Sequence, residues 1–298
     1  MNDNQKKLGH VLAVFTIFVW GVTFISSKIL LRAFSPEEII VLRFLFGYVI
    51  LWLLHPKKPE FYGWKQEAFI AMAGLFGITL YYLCENTALT YTYASNVGIL
   101  VSAAPFMTVC AIAILFREPV SRSFMAGLVI AMVGVILVNF NGSEVLHMNP
   151  LGGWFALLAA ACWTGYSVVM RLLNELEMDT IVLTRRIFFY GLILLIPYLI
   201  TKGVSISVSD LCRPVYLLNI CFLGIAASAV CYLTWNRSME LIGTVKSSVY
   251  INLQPVIATA FSALILEEKI TPIALIGMVL IVGGLFLSEY VKPDRTQK

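Results

Sequence analysis

Apolar residues in this chain come in long unbroken runs rather than at the spacing of a single buried helix face. Ten runs stand out, at residues 10–30, 38–54, 68–90, 95–116, 123–140, 152–173, 180–200, 215–237, 245–266 and 272–289. Each is about the 17–25 residues that a membrane-crossing helix needs. The breaks between them are short and carry charge, proline or glycine, as in His55-Pro56-Lys57-Lys58-Pro59, Arg117-Glu118-Pro119 and Glu267-Glu268-Lys269. The pattern predicts ten transmembrane helices. The first run follows Lys6 and Lys7 as a signal peptide would. It is long, lacks a small-residue cleavage site and precedes nine further runs, so it reads as a retained span.

The second half of the chain repeats the first. Tyr82, Asn86, Pro105, Glu118, Gly127 and Gly134 recur 150 residues later as Tyr232, Asn236, Pro255, Glu268, Gly277 and Gly284. Trp20, Lys28 and Arg43 recur 143 residues later as Trp163, Arg171 and Arg186, the difference of seven falling in the linker between Arg43 and Tyr82. Pairs held at two offsets mark a duplication, with five runs in each half, residues 10–140 and 152–289.

Basic residues in the breaks set the orientation. With the N-terminus inside, the inner segments hold Lys6, Lys7, Lys57, Lys58, Lys65, Arg117, Arg122, Arg171, Lys292, Arg295 and Lys298. The outer ones hold only Arg32, Lys202, Arg213 and Lys269. Both termini are therefore expected in the cytoplasm. Because five is odd, the second half enters the bilayer from the opposite side, as an inverted repeat. Two halves that tilt in opposite senses suit alternating access around a midplane site.

Composition agrees with a bilayer setting. Hydrophobic residues are 59% and charged residues 13%, against about 25% charge in a soluble domain, and the mean hydropathy is +0.86. The net charge of +4 lies in the breaks and calls for no nucleic-acid partner. Of Cys84, Cys110, Cys162, Cys212, Cys221 and Cys231, all but Cys212 sit in apolar runs without metal-ligand spacing, so they read as free thiols. Asn141-Gly142-Ser143 matches a glycosylation acceptor but carries no weight without a known source.

The ten runs, the five-plus-five duplication and a proline followed thirteen residues later by glutamate in each half resemble the drug/metabolite transporter superfamily, in its EamA-type branch. The motif stands here as Ser102-Ala103-Ala104-Pro105 … Phe116-Arg117-Glu118-Pro119 and Asn252-Leu253-Gln254-Pro255 … Leu266-Glu267-Glu268-Lys269. The resemblance covers residues 10–290 and implies a carrier of amino acids, other metabolites or drugs. Arg117 and Glu267 depart from the family, which more often has glycine before the glutamate.

Polar and aromatic residues deep within the runs are the candidate chemistry. Pro105 and Pro255 are expected to kink their helices and free the carbonyls of Val101 and Ile251 beside Ser102, Asn252 and Gln254. A packing kink is the alternative. Trp20 and Trp163 lie near the centres of their runs, away from the interfacial belts where tryptophan usually sits, and Tyr82 and Tyr232 add amphipathic surface. Tyr250, Tyr81 and Tyr166 are further candidates of that kind. Intramembrane ions are costly unless paired or wetted, which singles out Glu85, whose repeat counterpart is Trp235, and the bases Arg43, Arg185, Arg186, Arg237 and Lys246.

Arg43 and Glu85 are expected to pair, or to compete for the same proton or substrate group. Arg186 is expected to snorkel, to pair with Glu175, Glu177 or Asp179, or to clamp a substrate anion. Glu118 and Glu268, at run ends, suit capping or a local ion pair, and the glycines seven apart suit close helix contact. The expected substrate-binding set is Trp20, Tyr82, Glu85, Ser102, Trp163, Arg186, Tyr232, Asn252 and Gln254, around a cavity between the halves.

These features predict a secondary transporter, exporting or exchanging a small polar or amphipathic metabolite such as an amino acid across the cell membrane. No phosphate-binding loop is present, so the driving force is a coupling proton or an exchanged solute, and no cofactor is expected. An integral-membrane enzyme is the rival class, but H-E-x-x-H and G-x-S-x-G are absent and His10, His55 and His147 lie at run ends or in breaks. A channel or scaffold is the third reading, which the inverted repeat disfavours.

Overall fold

The computed structural model describes residues 3–57, 61–92, 94–139, 150–176, 178–203, 205–266 and 270–290. Among these there are helices and short connections and no strand. The first half holds α1 (Asp3–Leu30), α2 (Pro36–Leu54), α3 (Trp64–Tyr91), α4 (Ala94–Val101), α5 (Ala104–Phe116) and α6 (Arg122–Asn139). The second holds α7 (Pro150–Leu173), α8 (Thr180–Lys202), the short α9 (Val208–Leu211), α10 (Pro214–Ile242), α11 (Thr244–Val249), α12 (Gln254–Leu266) and α13 (Pro272–Tyr290). By length and composition α1, α3, α7, α8 and α10 can each cross a membrane, and α5, α6 and α13 are shorter apolar helices. Large apolar side chains such as Ile114, Trp154, Ile200 and Phe286 stand exposed on the outside, as lipid contact requires.

Local chemistry sets the helix ends. Ser35 and Glu38 form a reciprocal capping box at the start of α2, with Pro36 in its first turn, where a missing N–H does no harm. Asp179 caps α8 by accepting from the amides of Ile181 and Val182. Gly203 closes α8 at φ 69°.

Pro105 and Pro255 act differently from the expected mid-helix kinks. The chain leaves α4 at Val101, turns through Ser102 and Ala103, and restarts at Ala104, so Pro105 occupies the first turn of a new helix. In the second half a 3-10 turn, Tyr250–Leu253, separates α11 from α12, and Pro255 again sits in the first turn. A proline there lacks an amide that no turn would use. The Ser102 hydroxyl bonds back to the carbonyl of Gly98 at 2.7 Å.

Two irregularities were not expected from the sequence. α3 widens into a π turn at Leu75–Leu80, and α10 does the same at Phe222–Val230, its repeat counterpart. Each faces a helix of the other half at backbone distance. A Cβ on Gly74 would lie 2.7 Å from Gly191 N and Ile187 O of α8, and one on Gly224 would lie 2.7 Å from Phe46 Cβ and 3.1 Å from Arg43 O of α2. A second seam joins α6 to α13. There Gly127 meets the backbone of Gly284 and Gly134 that of Gly277, each Cβ position 2.6 Å from the facing carbonyl. The pairing order makes these helices antiparallel, and the glycine spacing is what permits the approach. α1 and α10 are also antiparallel, with Gly9 at Leu241 and Ile242, Thr16 at Thr234, and Trp20 at Ala227.

Candidate functional site

The repeated aromatic residues meet one another at the centre. Trp20 and Trp163 stand edge to face with ring centroids 5.3 Å apart, and the hydroxyls of Tyr82 and Tyr232 lie 3.5 Å apart. Two of these four side chains also hold the π turns of α10 and α3. Trp20 Nε1 donates to the Ala227 carbonyl at 2.9 Å, and the Tyr232 hydroxyl donates to the Gly77 carbonyl at 2.7 Å. A π turn disturbs the regular ladder, so its carbonyls need such donors. Gly77 and Ala227 are themselves 150 residues apart, the repeat offset.

A cavity lies beside this cluster. α1 contributes Trp20, Thr23 and Phe24, α3 contributes Tyr81, Tyr82 and Glu85, and α7 contributes Trp163. Val101 and Ala104 flank the break between α4 and α5, while Ile251 and Gln254 flank the 3-10 turn before α12. The two interrupted helices thus bring their ends to the cavity wall.

The opposite side of the cluster is filled. Trp235 is fully buried against Trp20 and Trp163. Next to it the Tyr166 hydroxyl donates to Asn236 Oδ1 at 2.5 Å, and Asn236 Nδ2 donates to Thr184 at 3.0 Å. The antiparallel register of α1 and α10 puts this chain toward the start of α1 and the cavity toward its end.

Of the expected residues, Trp20, Tyr82, Glu85, Trp163 and Gln254 line the cavity. Tyr232 lies behind them on its π-turn carbonyl, Ser102 is turned to Gly98, and Asn252 is fully buried with neither amide atom hydrogen-bonded.

Arg43 and Glu85 form no direct ion pair. The Arg43 guanidinium stacks 4.2 Å from the Tyr82 ring centroid and 5.1 Å from that of Phe44, and its Nε donates to Ser228 at 3.0 Å. Both residues are buried.

The structure gives Arg186 a partner that none of its expectations named. It forms a buried ion pair with Glu67 at the start of α3, and the other Glu67 oxygen accepts from the Tyr190 hydroxyl at 2.7 Å. The loop acids are otherwise engaged: Glu175 pairs with Arg171, and Asp179 caps α8 and meets His55, while Glu177 lies outside the described residues. Arg186 is also not on the cavity wall. Arg185 donates to the carbonyls of His55 and Lys57. Arg237 pairs with Glu240. Glu118 pairs with Arg171 at 3.0 Å, and its repeat partner Glu268 lies outside the described residues.

Sequence reasoning overlooked Glu67, Ser228, Thr23 and Phe24. Glu67 borders an apolar run and reads as part of a loop, and Ser228 is one small polar residue among apolar ones.

Fold and site together define a multi-pass helical membrane protein with a cavity lined from both of its halves. The profile of the EamA-like transporter family matches residues 7–140 and again 150–290. The chain therefore belongs to the EamA-like transporter family, as a multi-pass protein of the cell membrane. It is 25% identical to a probable amino-acid metabolite efflux pump of Escherichia coli strain K12, across 96% of this chain and 96% of that one. It is 26% identical to an uncharacterized transporter of Archaeoglobus fulgidus, across 94% of this chain and 96% of that one. A solved crystal structure with 20% identity superposes with a TM-score of 0.76 over 95% of this chain and 98% of that chain, a likeness of fold.

Proposed function

We propose that the protein is a secondary transporter that exports or exchanges a small polar or amphipathic metabolite, an amino acid or a solute of similar size, by alternating access. In this reading, residues 10–140 and 152–289 are two inverted five-helix repeats, each pair α4–α5 and α11–α12 counting as one interrupted span, with both termini cytoplasmic. The substrate site is the cavity beside Trp20, Tyr82, Glu85, Trp163 and Gln254, with Tyr232, Ser102 and Asn252 behind it and Arg186 anchoring α8 to α3. A proton or an exchanged solute drives the cycle.

The observation that carries the proposal is the asymmetry about the paired aromatic centre. A cavity lies toward the ends of α1 and α3, while Trp235 and the Tyr166–Asn236–Thr184 chain fill the space toward the start of α1. A cavity on one side of the paired centre and close packing on the other suit one state of an alternating cycle. With cytoplasmic termini, the cavity lies on the outer side.

The test is counterflow in proteoliposomes. Preloaded unlabelled solute should drive transient, saturable accumulation of labelled solute, and cysteines at Thr23 or Gln254 should react with a polar thiol reagent applied from the outside and be shielded by that solute. Linear, unsaturable flux without counterflow would overturn the carrier reading.

A further inference from the structure

We propose that the cavity recognises an organic cation, a protonated amine on an apolar or aromatic body, and has no clamp for a carboxylate on the same molecule. The inference rests on the reading of this cavity as the substrate site and names the chemistry of what fills it.

The argument starts from where the charges are. Among the described residues Glu85 is the one charged residue on the wall, it is 3% exposed, and no ion pair joins it to a base. A carboxylate at that depth is costly until a counter-charge reaches it, and an entering ammonium is such a counter-charge. The buried bases nearest to Glu85 stand off the wall. Arg186 is paired with Glu67, and Arg43 is stacked on Tyr82 and Phe44 with its Nε on Ser228 and its Nη2 buried without a hydrogen bond. Neither is on the wall.

The rest of the lining favours the same class of ligand. Trp20, Trp163, Tyr81, Tyr82 and Phe24 present aromatic surface around the carboxyl. Tryptophan and tyrosine faces attract cations, and the effect grows when both partners are desolvated. Their area also suits an apolar body. Gln254 and Trp163 Nε1, which is buried without an acceptor, are neutral polar groups on this wall. They can take a hydroxyl or carbonyl of the ligand, but a carboxylate placed there would meet the like charge of Glu85 without a base in contact. An amino acid can enter by its ammonium group; its carboxylate gains nothing that its decarboxylated amine lacks.

Three probes that share a phenyl ring separate these contributions: 2-phenylethylamine, phenylalanine and 3-phenylpropionate. Binding to the purified full-length protein is read by tryptophan fluorescence and by the thermal shift each probe produces. The amine should bind at least as tightly as phenylalanine and tenfold or more tighter than the carboxylate. Glu85→Gln should weaken the amine roughly tenfold or more, the scale of one charged hydrogen bond. Comparison of the three probes on the unaltered protein needs no variant, so it decides the matter even if Glu85→Gln folds poorly.

Tighter binding of phenylalanine or phenylpropionate than of the amine overturns the assignment, as does an amine affinity unchanged in a folded Glu85→Gln. Failure of all three probes to bind also overturns it. That result leaves the carrier reading to its own counterflow test, so the two ideas fail separately.

Discussion

The glycine seam between α6 and α13 makes a quantitative prediction. In Gly284→Ala the new Cβ would lie 2.5 Å from the Gly127 carbonyl oxygen and 2.6 Å from Ala131 N. Ordinary contact needs about 3.5 Å, so the two helices must separate by roughly 0.5–1 Å, because the obstruction is backbone and has no rotamer to change. A gap of that size forfeits about a quarter to a half of the dispersion energy at each flanking contact. The expected loss is about 1–3 kcal/mol, the usual range for overpacking.

Gly283 supplies the control, since a Cβ there meets nothing within 4 Å. Gly283→Ala should be neutral or stabilise by up to about 1 kcal/mol through helix propensity. Gly127→Ala presses on the same crossing as Gly284→Ala. Once one has forced the helices apart the other adds little, and the double variant should lose less than the sum. Melting of the purified protein in detergent, followed by size-exclusion chromatography, measures each step. Equal melting temperatures for Gly283→Ala and Gly284→Ala would refute the reasoning.

Removing either partner of the Glu67–Arg186 pair leaves a buried charge, so Glu67→Leu and Arg186→Leu should each destabilise by about 3–5 kcal/mol, while the double variant loses less than either; strictly additive losses would mean the pair is not coupled. Arg117 holds φ 54° and ψ 31°, the left-handed region that favours glycine, so Arg117→Gly should raise stability by about 1 kcal/mol in the same melt. Trp20→Phe strips the Ala227 carbonyl of its donor and should cost about 1–3 kcal/mol more than Trp235→Phe, whose Nε1 has no hydrogen bond. A larger loss at Trp235 would sink the π-turn account.

Much of the helical plan was legible in the chain because bilayer length and the hydropathy of ten runs leave few alternatives to helices, and the duplication supplies a second, independent frame. Trp20 with Trp163 and Tyr82 with Tyr232 could be paired from their spacing alone, and in the fold those partners touch. The glycines seven apart likewise announced a close helix contact. Even the departure at Arg117 was visible, as a larger residue where the family more often has glycine, before its left-handed backbone gave the reason.

Tertiary structure alone decided how the charges are matched and where the backbone departs from regular helix. Arg186 meets Glu67 because α8 packs on α3, a partner well over one hundred residues away that no local rule proposes. Arg43 and Glu85 share a depth but not a contact, since the Arg43 guanidinium stacks on the Tyr82 ring. The π turns have no local signature: each extra residue is accommodated by a donor from the other half, Trp20 for one and Tyr232 for the other. Periodicity and spacing report what a residue needs; which group answers that need depends on helices that meet only when the two halves have packed together.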